Sequence, residues 1–183
     1  MRAAVVSAAL ALALAGCDRD GAVDAVTDPG LDSAVWRQDG VKLSAALPQS
    51  VGTFKPSDPV NSYATSYRTG PVVGASCTYA DGRRQLVVRV ESGNIRERAA
   101  TLANGRANPG ESFVSRPVTV RGHAATLHWN ETGKTGDVVY VLQRRYVVQL
   151  QLVPARSGDE VVQLASAMDV APLEALVLDG IAR

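Results

Sequence analysis

Apolar residues recur at every second position along much of the chain. Leu86, Val88 and Val90 alternate with Val87, Arg89 and Glu91, and Tyr63, Thr65 and Tyr67 share one parity within Ser62–Arg68. Val118 and Val120 lead to Gly122, after which Ala125, Leu127 and Trp129 fall on one side. Tyr146, Val148, Leu150 and Leu152 alternate with Arg145, Gln149 and Gln151. Period two is the signature of a strand with one face covered. Val138–Leu142 is apolar throughout, and Ala75–Tyr79 reads as part of another strand. Asp81-Gly82 is a favoured hairpin pair. A tight turn at Gln143-Arg144 makes Val138–Val153 a second hairpin, with one long bent strand as the alternative.

Two segments follow the helical period instead. Asn94–Asn104 carries Ile95, Ala99, Leu102 and Ala103, with Asn94 and Glu97 placed as a cap and Gly105 at the C′ position. Ser157-Gly158-Asp159-Glu160 has the form of a capping box, and Val161, Leu164, Ala165 and Met168 continue it at i, i+3, i+4, i+7. That stripe is expected to dock on the sheet built from Tyr146, Val148, Leu150 and Leu152. Pro172 ends the helix and starts a shorter one carrying Leu173, Leu176 and Val177.

Short links between successive strands favour antiparallel pairing. The expected fold class is therefore α+β: a mainly antiparallel sheet, with the C-terminal helix and the mid-chain helix packed on one face and the other face partly wet. The order of elements loosely resembles that of PsbP-like lumenal and lipoprotein domains.

The first residues depart from this pattern. Arg2 is followed by Ala3–Leu14, an apolar run of 12 residues. As a helix it would be roughly 18 Å long at about 1.5 Å per residue, short of the ~30 Å core of a bilayer. The run ends in Leu14-Ala15-Gly16-Cys17, which resembles the lipobox of bacterial lipoproteins at all four positions. The resemblance covers 17 residues and implies cleavage before Cys17 and lipidation of its sulfur. Two or three acyl chains, at about 0.8 kcal/mol per buried CH₂, would hold the protein on a membrane. Asp18–Asp32 has five aspartates against one arginine and a Pro29-Gly30 break, and reads as a flexible acidic tether. Residues 1–16 are thus expected to be a signal peptide, 17–33 a tether and 34–183 a single domain. The address is export and lipid anchoring, facing the periplasm, with inner and outer membrane both open.

Composition narrows the function classes. Without Arg2 the chain has 18 basic and 18 acidic side chains, a balance that gives no support to nucleic-acid binding. Lysine occurs only at 42, 55 and 134. With Cys17 lipidated, Cys77 has no partner for a disulfide within the domain and is expected in the core. His123 and His128 are five apart, so one strand would turn them to opposite faces, where they cannot share a metal. Gly133-Lys134-Thr135 lacks the earlier glycine and the following helix of a phosphate-binding loop. Neither a nucleophile elbow nor a zinc-protease motif is present. No motif implies a cofactor. Trp129 shares a face with Leu127 and is the better core candidate; Trp36, where tether meets domain, is placed to cover a sheet edge.

Arg83-Arg84 and Arg144-Arg145 each sit at an expected strand turn. If the two turns share one end of the sheet, four guanidinium groups form an anion-binding rim. The favoured function is a non-enzymatic binding or assembly module of the cell envelope, partnered by the membrane through Cys17 and by an envelope protein or the cell wall. A hydrolase with carboxylates paired from distant parts of the chain, or a lipid or small-molecule carrier, are the alternatives.

Overall fold

The computed structural model describes residues 34–67, 70–104 and 113–179. Met1–Gly16, Cys17, the acidic tether, Arg68 and Gly105 lie outside the described residues. The elements in chain order are α1 Ala34–Ala45, β1 Lys55–Pro56, β2 Asn61–Tyr67, β3 Gly70–Asp81 and β4 Arg84–Gly93. They continue with α2 Ile95–Asn104, β5 Phe113–Val120, β6 His123–Asn130, β7 Thr135–Leu142, β8 Tyr146–Val153, α3 Gly158–Ala167 and α4 Ala171–Ala175. The strands form one sheet in the order β1-β3-β4-β8-β7-β6-β5, with β2 also paired to β3. Every pair is antiparallel. The fold class is α+β, and 138–153 is a hairpin rather than a bent strand.

Alternation gives the sheet two unlike faces. On the core face Tyr79, Leu86, Leu152 and Gly136 lie in one row across β3, β4, β8 and β7, and Cys77, Val88, Leu150 and Val138 in the next. Their side chains are almost wholly inaccessible to solvent, each large one contributing about 1.5–3 kcal/mol through burial. The neighbouring residues of the same strands, Val87, Arg89, Glu91, Gln149, Gln151 and Asp137, therefore turn to the other, polar face.

Helices α1, α3 and α4 cover the core face. The inward stripe of α1 is Trp36, Asp39, Gly40 and Leu43 at i, i+3, i+4, i+7, with the last three buried and Trp36 half-buried against the core. An aspartate and a glycine on that stripe hide the helix from a reading of apolar periodicity. Gly40 lets α1 come close to β2 and β3, since a Cβ there would lie 3.3 Å from Ser62 Cβ and 3.6 Å from Val73 Cγ2. In this way α1 covers the β2–β3 side of the core face, and Trp36 packs against the core.

Ser157 caps α3 by accepting from the Glu160 N–H at 3.3 Å. Glu160 itself accepts from the Arg156 N–H at 2.7 Å, one residue earlier than a reciprocal box requires. The helix lies over β5 to β8 and meets β7 most closely, rather than centring on β8. Val161, Ala165 and Met168 are buried, and Leu164 is half-buried beside Gly52. Two glycines set this docking. A Cβ at Gly136 would stand 2.3 Å from Val161 Cγ2, and one at Gly158 would stand 2.7 Å from Leu127 Cδ2. The short helix α4 ends before Leu176 and Val177; Leu173 is buried while Val177 is 62% exposed.

The mid-chain helix corrects one expectation. Helix α2 packs on the polar face, opposite α3. Its Ala103 carbonyl meets His128 and its Arg98 meets Glu91, whereas the adjacent residues Leu127 and Val90 belong to the core. The chain must travel from β4, mid-sheet, to β5 at the far edge. With α3 and α4 on the core face, the polar face is the one left open for that crossing.

Gly136→Ala should destabilise the domain by about 1–3 kcal/mol, because β-branched Val161 has little room to yield. Val161→Ala removes the clashing methyls. The double variant should therefore be more stable than the sum of the two single losses predicts, in urea unfolding followed by circular dichroism. Strict additivity would place the α3–β7 contact elsewhere.

Candidate functional site

The four arginines do not converge. Gln85 pairs with Val153 and Glu91 with Val147, so β4 and β8 begin at opposite ends of the sheet. Arg83-Arg84 precede β4 and Arg144-Arg145 precede β8, which puts about eight residues of strand, roughly 26 Å, between the pairs. A four-arginine rim is therefore excluded. Arg84 also has a local occupation. Its guanidinium donates to Glu160 at 2.6 Å and to the Pro154 carbonyl at 3.3 Å, and lies 5.1 Å from the Phe54 ring centre. It secures the start of α3 against the β3–β4 turn, and Arg83 is exposed on that turn.

At the other end, Arg144 and Arg145 border a cleft of about 310 Å³ lined by Ser92, Gly93, Ile95, Arg144, Arg145, Tyr146 and Leu178. The β7–β8 turn closes where the Arg145 N–H donates to the Leu142 carbonyl at 3.0 Å. Gln143 and Arg144, its central residues, have φ of 50° and 57°, left-handed values that Asn-Gly would adopt more cheaply. Ser92 Oγ donates to the Arg145 carbonyl at 2.9 Å and joins the turn to the end of β4. The Arg145 guanidinium stands 5.8 Å from the Tyr146 ring centre, and the Tyr146 hydroxyl donates to the Leu176 carbonyl at 3.0 Å.

The opposite wall is held by α1. Buried Asp39 accepts from the Asp179 N–H at 3.0 Å, and Lys42 pairs with the Asp179 carboxylate at 2.6 Å. This fixes Leu178 against the core. The cleft thus combines two exposed arginines with half-buried Ile95 at its wall, above the buried side chains of Tyr146 and Leu178. It can take a carboxylate or phosphate at its rim and a short apolar group within.

The polar face carries a second group of functional side chains, which the sequence did not single out as sites. Tyr63, Gly74 and Glu91 lie in one row of β2, β3 and β4. Tyr63 lies flat across Gly74, where a Cβ would stand 2.4 Å from its ring, and its hydroxyl donates to Glu91 at 2.6 Å. Burial and the neighbouring Glu91 charge push the Tyr63 pKa far up. Arg98 of α2 reaches the same carboxylate through two nitrogens, Nη2 at 3.0 Å from Oε1 and Nε close to Oε2.

His128 is 3% exposed and bridges two acceptors. Its Nδ1 is 3.1 Å from Asp137 Oδ2 on β7, and its Nε2 is 2.8 Å from the Ala103 carbonyl in the last turn of α2. The hydrogen bond to the Asp137 carboxylate raises the His128 pKa, burial lowers it, and the bond to the Ala103 carbonyl adds to the rise. Ser115, His128 and Asp137 are register neighbours on β5, β6 and β7. They have the residue types of an acyl-transfer triad, but the Nε2 that would take the serine proton is engaged by the backbone of α2.

His123 lies on the core face, as the odd separation requires, and stacks on Tyr140 with ring centres 6.2 Å apart. Among the described residues no three His, Cys, Asp or Glu side chains are gathered as a metal site would need. Gly133 and Lys134 lie in the β6–β7 hairpin connection and Thr135 opens β7, so no helix follows them. Trp129 is half-buried at the edge of the core rather than within it; its indole N–H donates to Glu131 at 2.7 Å, with Lys134 6.0 Å from the ring centre. Among the described residues no helix is long and apolar enough to cross a membrane. Comparisons with protein-family models, with curated proteins and with solved structures find no match to this chain.

Cys77 is buried on the core face, and its Sγ lies 3.7 Å from the Asp58 carbonyl. Burial pushes the thiol pKa up, which lowers its thiolate fraction at neutral pH. Cys77 should react with a disulfide reagent only as the domain unfolds, so the labelling rate should rise to that of a free thiol in denaturant. Prompt stoichiometric labelling of the native protein would show an exposed thiol.

Proposed function

We propose that this chain is a bacterial envelope lipoprotein, anchored through Cys17, whose domain is a non-enzymatic binding module. Its binding surface is the cleft beside Arg144 and Arg145, and the partner presents a carboxylate or phosphate with an adjoining apolar group. The observation that carries this reading is that two exposed arginines on one turn border a cleft walled by Ile95. The arginines sit on a turn whose left-handed residues are a poor choice for folding alone. Arginine suits the role because its planar fork grips an oxyanion at two points and stays charged at any physiological pH. The engaged Nε2 of His128 favours binding over acyl transfer.

Two experiments test the two halves of this reading. Cys17→Ser should abolish incorporation of labelled fatty acid and leave unprocessed precursor; continued cleavage and membrane association would overturn the anchor. Isolated cell-wall sacculi and phosphatidylglycerol vesicles then serve as anionic probes. The Arg144→Gln/Arg145→Gln variant should lose about tenfold or more in binding to the probe that wild type prefers. Wild-type binding should weaken with added salt, and unfolding free energy should change by less than about 0.5 kcal/mol. Equal binding by wild type and variant, or no binding to either probe, would overturn the cleft as the site.

A further inference from the structure

Helix α2 is docked unlike its neighbours. None of its residues is fully buried; Ile95, Arg98, Ala99, Leu102 and Ala103 are half-covered. Beside these half-covered residues, polar contacts tie it down: Arg98 with Glu91 near the middle, and Ala103 with His128 at the C-terminal end. Its first residue, Ile95, is a wall of the cleft.

The contact at His128 sets a chemical condition. A carbonyl oxygen and an ionised carboxylate both accept and cannot donate, while a neutral imidazole has a single N–H. Nδ1 facing Asp137 at 3.1 Å and Nε2 facing Ala103 at 2.8 Å can both be hydrogen bonds only when the ring carries two protons. The charge is well placed, since a cation in the last turn of a helix is favoured by the helix dipole. Loss of one proton leaves a lone pair of the ring facing a lone pair of Asp137 or of Ala103, and the backbone carbonyl is the weaker acceptor.

We propose that doubly protonated His128 is a pH-sensitive latch that holds α2 on the polar face and so controls the wall of the cleft at Ile95. This rests on the cleft reading for its consequence and concerns regulation of that same site; the latch itself does not depend on it. Among the described residues, Asp137 is the charged group in contact with His128. Across β5 it faces uncharged Ser115, and along β6 Thr126 and Asn130; on β8, Gln151 lies opposite Asp137. Arg116 belongs to the other face, where it pairs with Asp159. On α2, Arg96 and Glu97 are exposed and Arg98 is committed to Glu91.

The sign follows from the raised pKa. The contribution is fully present below the ordinary histidine value of about 6.5 and is lost as pH rises through the higher folded value. With the C-terminal contact gone, Arg98–Glu91 becomes the pivot about which Ile95 moves.

Amide hydrogen exchange of the full-length protein, corrected for intrinsic rates, reads the latch without any ligand. Protection of residues 95–104 should fall by about fivefold or more between pH 5.5 and 8.5, the equivalent of one lost hydrogen bond. Asp137→Asn should move the midpoint to lower pH, and His128→Gln should remove the pH dependence, because a carboxamide donates at any pH. Should His128→Gln fail to fold, the ring ¹⁵N shifts of His128 in wild type decide: both nitrogens protonated at pH 5.5 support the latch, and a neutral tautomer there overturns it. Flat protection across the range also overturns it. Binding to the preferred anionic probe should change over the same interval as α2 protection. Changed protection with unchanged binding overturns the link to the cleft, and a failed cleft leaves the exchange result standing.

Discussion

The pleat of β3, β4, β8 and β7, which sends successive side chains to opposite faces, is the constraint from which the rest of this molecule follows. Packing Tyr79, Leu86, Val88, Leu150, Leu152 and Val138 against three helices fixes where their chain neighbours point. Those neighbours include Arg89, Glu91, Gln149, Gln151 and Asp137. A one-residue slip in any strand would exchange the two sets, so the apolar core determines the polar face as firmly as itself. The side chains with chemical potential on that face are consequences of register, gathered from strands far apart in sequence.

The two principal helices show what the two faces permit. Helix α3 inserts Val161, Ala165 and Met168 into the core and comes close because Gly136 and Gly158 leave room. That docking is mainly apolar along the helix, with the ion pairs Arg84–Glu160 and Arg116–Asp159 at its first turn. Helix α2 crosses a mixed surface, where Val139 and Val147 are buried beside Glu91, His128 and Gln149, and it attaches through half-covered apolar residues together with a charge pair and a hydrogen bond. A buried ion pair such as Arg98–Glu91 returns in attraction little more than the desolvation of its members, and it lends α2 specificity of position more than strength. The element with least buried apolar surface is the first to open, and here it is also the one that reaches the cleft.

Much of the sheet was legible because period two is hard to produce by accident. The hairpin at Gln143-Arg144 and the Ser157 cap were readable in the same way; the one expected at Asp81-Gly82 closes one residue later, with Gly82-Arg83 between paired Asp81 and Arg84. Helix α1 was not, since Asp39 and Gly40 occupy its inward stripe for reasons of long-range contact: one holds the Asp179 backbone, the other allows approach to Ser62 and Val73. The His128 bridge had half a signal. His128 and Asp137 flank a loop at matching distances, but the third member is a backbone carbonyl, which no side-chain pattern can advertise. Of the cleft, Arg144 and Arg145 were visible as a pair on a turn, while Leu178 and Ser92 joined them through strand order.

That order also explains why the four arginines part company. Each pair stands at the start of its strand, so their relation depends on how many times the chain reverses between β4 and β8. Had β4 turned directly into β5, each of the next strands would reverse once, and β8 would start at the end where β4 starts. The four guanidinium groups would then have met. Helix α2 carries the chain back along the sheet instead, so β5 runs the same way as β4 and β8 begins at the opposite end. The same return that separates the arginines lays α2 across the polar face. It sets one end of the helix at the cleft beside Arg144 and Arg145, and the other over His128. One crossing therefore reduces the rim to two arginines and gives the remaining pair a neighbour whose attachment depends on a proton.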